Sequence, residues 1–414
     1  MSHASNVHSL GDLHDEQVVG LLRSGTHAAL LSDYFGEREY RELCQYAKLA
    51  AARMNDHGPI VYILPGIMGS KLGVTTRHVP HLIWLHPVAI ANGGLLDLSL
   101  STTDELSAAG VMLPGYLKLK LMLEIAGFRP TFFPFDWRRD LLDLGQSLYQ
   151  HIASRDERGV MLVAHSMGGL IARAALSFDR DSRIERLVQL GTPNAGSFAS
   201  VQALRAVYPT VRKIAALDRT HSAEELARRV FLELPGLYQM LPSPDCGGVD
   251  LFDPSSWPQD DLQPNPMLLR GARERRARMA AADERCTLIA GVAQETITSL
   301  RLLDDQFEYT ITRNGDGTVP LACAQWPNAR TWYVADTHGG MTNNDAVLNA
   351  VIDLLKSNTT QWLGTQAPPL DGTIVKIATD RELRMRAVRK VNWESLSFDT
   401  RRRILEPVIS PEFQ

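Results

Sequence analysis

With 414 residues, 44% of them hydrophobic and 22% charged, the chain has enough apolar sequence for a large core and the balance of an ordinary globular protein. Its 43 basic and 47 acidic residues leave a net charge of −4. That excludes an overall positive field for a nucleic-acid backbone, so no nucleic acid is expected as partner. Cys44, Cys246, Cys286 and Cys323 include no C-x-x-C pair, which excludes the usual zinc and thiol-exchange signatures and makes a reducing compartment the default.

Met1 to Leu13 lacks the basic start and apolar core of a secretory signal, so a cytoplasmic location is expected by default, with peripheral membrane contact or signal-independent export as alternatives. Residues 1–57 read as a helical N-terminal extension, because Val18, Leu21, Leu22 and then Leu43, Tyr46, Leu49 recur at helical spacing. The core, residues 58–356, opens with Ile60 to Leu64, an apolar run ended by Pro65-Gly66, as a buried strand running into a turn should be. Thr131 to Phe133, Val160 to Ala164, Leu187 to Leu190, Thr287 to Ala290 and Thr331 to Val334 are further buried-strand candidates. Helical patterns lie between them, at Leu141, Leu144, Leu148, Ile152 and at Ala346 to Leu355. Alternation of this kind predicts a mostly parallel central sheet flanked by helices, with ligands at the carboxyl ends of its strands.

Two stretches break the alternation, about 74–114 and about 197–285, and read as lid and cap insertions. Leu82 to Leu100 is apolar but interrupted by His86, Pro87, Asn92 and Asp97, too polar for a spanning helix. The tail, 357–414, is an appendage with nine Lys or Arg against four Asp or Glu between Lys376 and Arg403. It reads as a solvated helical face, with transient contact to lipid headgroups as the alternative. His78, His81 and His86 have a spacing that could suggest a metal, but Pro80 and Pro87 break any helix that would align them. No metal site and no cofactor is therefore expected.

Val160 to Arg173 reads as strand, tight turn and helix with Ser166 at the apex, the nucleophile-elbow pattern of an α/β-hydrolase fold. Gly168 fills the small position after the serine, and Ala164 stands where the earlier glycine is usual. A hydroxyl needs a base, and only His221 and His338 follow Ser166. His338 follows a strand, whereas His221 lies in the cap, so His338 is the expected base. Asp304, Asp305, Asp316 and Asp336 could each orient it; Asp316 is preferred because glycines on both sides permit a tight presenting turn. The oxyanion needs two backbone N–H donors, expected from Met167 and from Ile67, with Met68 in reserve.

Several ordered blocks carry a resemblance. They are Pro65-Gly66-Ile67-Met68-Gly69-Ser70-Lys71-Leu72, Pro134-Phe135-Asp136-Trp137-Arg138, Ala164-His165-Ser166-Met167-Gly168-Gly169, Gly191 to Ser197, Leu234 to Pro242 and Asp316-Gly317-Thr318-Val319-Pro320. Together they resemble the lecithin:cholesterol acyltransferase-like family of lipid acyltransferases and phospholipases. The resemblance implies Ser166, Asp316 and His338 as catalytic triad and Ile67 with Met167 as oxyanion hole. It also implies a mobile lid with Trp84 and Leu85 at its apolar, substrate-binding edge, and a cap that binds the acyl chain. Leu82, Ile83, Trp84, Leu85, Val88 and Ile90 could line such a trench or form a local core cluster. Asp136 and Arg138 read as a structural ion pair. The expected activity is serine-dependent acyl transfer from a lipid ester, with phospholipid as donor and water or an alcohol as acceptor. A soluble carboxylesterase or thioesterase, and a catalytically silent lipid-binding homologue, are the rivals. Oligomeric state is not set by these residues.

Overall fold

The computed structural model describes residues 13–53, 55–76, 79–101, 106–367, 369 and 373–385. In chain order its strands are β1 (Ile60–Leu64), β2 (Ser70–Thr76), β3 (Val79–Trp84), β4 (Ser107–Val111), β5 (Arg129–Phe132) and β6 (Val160–His165). They continue with β7 (Ile184–Leu190), β8 (Cys286–Gly291), β9 (Thr296–Leu303), β10 (Gln306–Thr312), β11 (Arg330–Val334) and β12 (Lys376–Thr379). The apolar runs expected to be buried strands form one sheet in the order β11-β8-β7-β6-β1-β5, and every pairing in it is parallel.

Both faces of this sheet are covered, which is why its strands read as unbroken apolar runs. Alternate residues serve opposite faces. Val61 and Ile63 pack with the helices Leu113–Ile125 and Asp345–Ser357, whereas Tyr62 and Leu64 pack with Leu141–Ser154 and Met167–Phe178. Strand order reverses at β1 and β6, because β1 leads outward to β5 while β6 begins the march toward β11. The loops after these two strands therefore open a crevice at the carboxyl edge.

The N-terminal segment is helical as expected, with helices Asp15–Ser24, Ala28–Phe35 and Glu37–Arg53. Val18, Leu22 and Leu43 pack against Leu113, Leu117 and Leu121, and Lys120 bonds to Asp15 and Glu16. Leu49, expected on the buried stripe, is 47% exposed, and Ala47 and Ala50 face inward instead. The small alanines let the long helix lie close to its neighbour.

The lid stretch contains regular structure that its composition does not reveal. β2 pairs antiparallel with both β3 and β4, and the short helix Pro87–Ala91 follows β3. Four of the six apolar residues expected to line a trench are buried, Ile83, Trp84 and Ile90 in the main core and Leu82 beside Ile83, whereas Val88 is exposed. The cap stretch is built of short helices, Phe198–Leu204, Pro209–Leu217, Ala223–Arg229, Pro235–Gln239, Pro244–Gly247 and Pro266–Arg276. All but Pro244–Gly247 contribute apolar residues to the same core as β6 and the helix after it, whereas Cys246 packs on a smaller cluster with Cys323.

In the described part of the tail Lys376–Thr379 forms β12, which extends the antiparallel pair β9–β10, and Asp380–Met385 is helical. Arg205, fully buried, pairs with Asp260 and Asp380 and so ties this strand-helix unit to the cap. The rest of the basic run lies outside the described residues. Among the described residues no helix is long and apolar enough to cross a membrane.

Candidate active site

β6 ends at His165, and the chain turns into the helix Met167–Phe178 with only Ser166 between. Ser166 has φ 54° and ψ −123°, a left-handed conformation that costs a non-glycine residue about 1–3 kcal/mol and that only close surrounding structure can maintain. Gly168 is part of that surrounding structure. A Cβ there would lie 2.5 Å from the Pro65 carbonyl oxygen and 2.8 Å from that of Leu64, so the helix start could not approach β1 with any side chain present. Ala164, the departure from the usual glycine, is accommodated in the core with no exposure.

Ser166 and His338, 172 positions apart, meet across the sheet edge. The Ser166 Oγ–His338 Nε2 distance is 2.8 Å, and His338 Nδ1 lies 2.8 Å from Asp316 Oδ2. A carboxylate only accepts, so Nδ1 carries the imidazole proton and Nε2 is free to accept from the serine hydroxyl. The other carboxylate oxygen of Asp316 accepts from the N–H groups of Thr318 and Val319, and the Asp316 carbonyl accepts from His338 N–H at 2.8 Å. Asp and His are thus locked together by side chain and backbone, both 2% exposed or less.

The other sequence candidates are occupied elsewhere. Asp336 accepts from Thr337 N–H and Asn344 Nδ2, Asp305 accepts from Gln259 N–H, and His221 bonds to Asp218 at 2.9 Å. Asp304 sits with Asp305 in the tight turn between β9 and β10, both at positive φ.

The N–H groups of Ile67 and Met167 donate to no acceptor among the described residues. Met167 is the first residue of its helix, where the N–H groups have no partner within the helix and the helix dipole favours negative charge. Met167 directly follows the serine, and Gly66, beside Ile67, lies so near that a Cβ on it would fall 3.5 Å from Ser166 Oγ. Met68, the reserve candidate, is held left-handed at φ 63°.

Trp84 has a place the sequence did not reveal. It is 1% exposed, its ring meets Trp137 edge-on at 5.4 Å, and its Nε1–H donates to the Met68 carbonyl at 2.8 Å. A buried indole N–H needs an acceptor, and meeting that need braces the 65–69 loop rather than presenting the ring at an apolar edge. Leu85 beside it is half-buried. Ser70 and Trp137 add further braces: Phe135 N–H donates to Ser70 Oγ, and Trp137 Nε1–H to the Ser70 carbonyl. The Asp136–Arg138 pair is present at 2.8 Å, and the fully buried guanidinium also reaches the Leu98 and Leu106 carbonyls, joining the lid stretch to the core. No group of His, Cys, Asp and Glu able to hold a metal occurs among the described residues; His78 lies outside them, and His86 caps a helix through Ala89 N–H.

Sequence reasoning missed His165 and Tyr116. Gly66 N–H donates to Tyr116 Oη at 2.8 Å, Tyr116 O–H donates to His165 Nδ1 at 2.9 Å, and His165 Nε2–H donates to the His338 carbonyl at 2.9 Å. The directions follow from the two ends, since a backbone N–H only donates and a carbonyl only accepts. Burial, reinforced by the nearby His338, pushes His165 down to about 3, so it stays neutral beside the base. The relay connects the 65–69 loop to the loop that carries His338 through two buried side chains. Unfolding frees His165 to bind a proton near its ordinary value of 6.5, so through this group stability falls as pH drops from about 6.5 toward 3. Tyr116→Phe leaves Gly66 N–H and His165 Nδ1 without partners, a loss of about 1–3 kcal/mol each. The expected result is a lower Tm together with a fall in kcat, read by calorimetry and steady-state kinetics; an unchanged Tm would show the relay to be idle.

Comparison with known proteins bears on the fold. Residues 137–239 match the family model described as PGAP1-like alpha/beta domain. Over 158 residues the chain is 28% identical to lysosomal thioesterase PPT2 of Homo sapiens, covering 37% of this chain and 48% of that protein. The Bos taurus protein of the same name is 26% identical over 154 residues, covering 36% and 47%. The chain thus spans about half the length of the curated relatives it matches. A chain of the Tle4-Tli4 complex crystal structure superimposes with a TM-score of 0.51 at 12% identity, covering 73% of this chain and 100% of that one. With its parallel sheet, flanking helices and serine turn after β6, the chain has the α/β-hydrolase fold.

Proposed function

We propose that the chain is a serine-dependent acyl hydrolase or acyltransferase in which Ser166 is the nucleophile, His338 its base and Asp316 the orienting acid. The observation that carries this reading is the continuous 2.8 Å plus 2.8 Å hydrogen-bond chain from Ser166 Oγ to Asp316. As Ser166 attacks an acyl carbonyl, His338 Nε2 takes its proton, and the Ile67 and Met167 N–H groups receive the oxyanion. The imidazolium then gives the proton to the leaving group, and water or an alcohol releases the acyl chain from Ser166.

Lipid acyl esters, with phospholipid as donor, are the proposed substrate class. The ordered sequence blocks that resemble lecithin:cholesterol acyltransferase-like enzymes support it, as does an apolar cap continuous with the core. The match to a lysosomal thioesterase favours a second reading within the same mechanism, cleavage of an acyl thioester. A panel separates them: phosphatidylcholine vesicles, palmitoyl-CoA and p-nitrophenyl butyrate, each with wild type and Ser166→Ala. Fatty acid release from vesicles that vanishes in the variant is the expected result. Turnover of palmitoyl-CoA with none on vesicles would replace ester by thioester, and turnover of the soluble ester alone would overturn the lipid reading.

A further inference from the structure

Cys246 and Cys323 lie 77 positions apart, one on the cap helix Pro244–Gly247 and the other on the short helix Leu321–Ala324 that follows the Asp316 turn. The fold brings them together: Cys246 packs against the small cluster containing Cys323, and its thiol donates to the carbonyl of Ala322, the residue before Cys323. Ser243 Oγ lies 3.5 Å from Cys246 Sγ, which is 3.7 Å from the Ala322 carbonyl. The two backbones are laced together through one residue, since Ala195 N–H donates to the Cys323 carbonyl and Ser243 N–H to the Ala195 carbonyl, both at 2.8 Å.

The surroundings favour a thiolate. Arg276 pairs with no carboxylate among the described residues; its guanidinium donates to the Leu241 carbonyl and covers the Phe252 ring, and its charge acts on both thiols. Arg173, likewise without a carboxylate among the described residues, is a like charge beside Arg276: it bonds to the Ala280 and Asn194 carbonyls and stacks on Trp326. Asp245 is the opposing charge. As a thiolate, Cys246 accepts from the Cys323 S–H and the Ser243 hydroxyl, and these donors with Arg276 push it down to about 6, while Cys323 is pushed up. Cys246 is half-buried and reachable from solvent, whereas Cys323 is fully buried. An accessible, low-pKa thiol beside a second thiol is the arrangement from which sulfenic acids pass to disulfides.

We infer that Cys246 and Cys323 form a peroxide-reactive thiol pair, with Cys246 as the attacking sulfur and Cys323 as the resolving one. The Cys246 thiolate attacks one oxygen of a hydroperoxide, the O–O bond breaks, and hydroxide (or the alkoxide) departs, leaving Cys246 as sulfenic acid. The Cys323 sulfur then attacks the Cys246 sulfur, the S–O bond breaks, and the S–H proton leaves with the oxygen as water. Two electrons pass from the thiols to the peroxide. The resulting bond joins the cap to the segment whose Thr318 and Val319 N–H groups hold the Asp316 carboxylate.

Hydrogen peroxide at one equivalent under native conditions, followed by denaturation in N-ethylmaleimide and peptide mass mapping, tests this without any substrate. The expected product is a linked Cys246–Cys323 peptide, with Cys44 and Cys286 alkylated. Cys323→Ser should stop at a Cys246 sulfenic acid captured by dimedone, and Cys246→Ser should give neither product. In wild type, iodoacetamide alkylation of Cys246 should rise with pH to half its maximum near the same value of about 6. A wild-type protein in which both thiols remain free to alkylate while peroxide is consumed at Cys44, or not at all, overturns the pair.

Discussion

Ser166→Ala is expected to lower kcat by about a millionfold while leaving the protein folded, since removing the nucleophile of such a triad abolishes the acyl-enzyme route and leaves only binding and the oxyanion donors. The Ser166 hydroxyl bonds to His338 Nε2, and its loss leaves a buried imidazole nitrogen without its donor, a cost of about 1–3 kcal/mol that both the alanine and the glycine variant bear. Ser166→Gly separates catalysis from strain. Glycine adopts φ 54° freely, recovering about 1–3 kcal/mol of backbone strain against about 0.4–1 kcal/mol of unfolded-state entropy. The glycine variant should therefore be as inactive as the alanine variant but melt at a temperature at least as high. A glycine variant that melts well below the alanine variant would show that the turn is not strained.

Asp316→Asn is expected to lower kcat by about ten-thousandfold near neutral pH. Thr318 and Val319 N–H groups hold one oxygen of this side chain, so the asparagine carbonyl remains on them and its NH2 faces His338 Nδ1. Two donors cannot face each other, and the imidazole moves its proton to Nε2. That nitrogen then cannot accept from Ser166. The geometry hardly changes, so KM should move little, and the loss should fall on kcat. Asp336→Asn and His221→Ala should each retain activity within a fewfold, because both side chains are spent on contacts that include none of Ser166, His338 and Asp316. Loss of activity in Asp336→Asn with retention in Asp316→Asn would reassign the acid.

What could be read before folding follows the physics of burial. Val61 to Leu64 and Val160 to Ala164 are apolar on both faces because helices cover both, and such runs stand out in any sequence. β12 does not stand out: of Lys376-Ile377-Ala378-Thr379 only Ala378 is buried, and the strand exists because β10 offers an edge. β2, β3 and β4 were hidden inside or beside what read as a lid for another reason, since polar residues such as Ser70 and Lys71 are buried there and break the apolar pattern. Ser166 and His338 were legible because strained turns and strand ends narrow the choice of residues. His165 and Tyr116 were not, since nothing in the spacing of 49 positions announces a hydrogen bond between them. Trp84 was misread because an apolar run does not reveal whether its indole N–H meets solvent, lipid or the Met68 carbonyl. The approach of Cys246 to Cys323 exists only in three dimensions.

Covalent labelling by a fluorophosphonate tests the central claim most directly, because the probe needs an activated serine and an oxyanion hole but no knowledge of the substrate. Intact mass and peptide mapping of the folded wild-type chain should show a single adduct on Ser166, absent from Ser166→Ala and strongly slowed in His338→Ala. A folded wild-type chain that takes up no probe, or takes it up on another serine, would contradict the assignment of Ser166 as nucleophile.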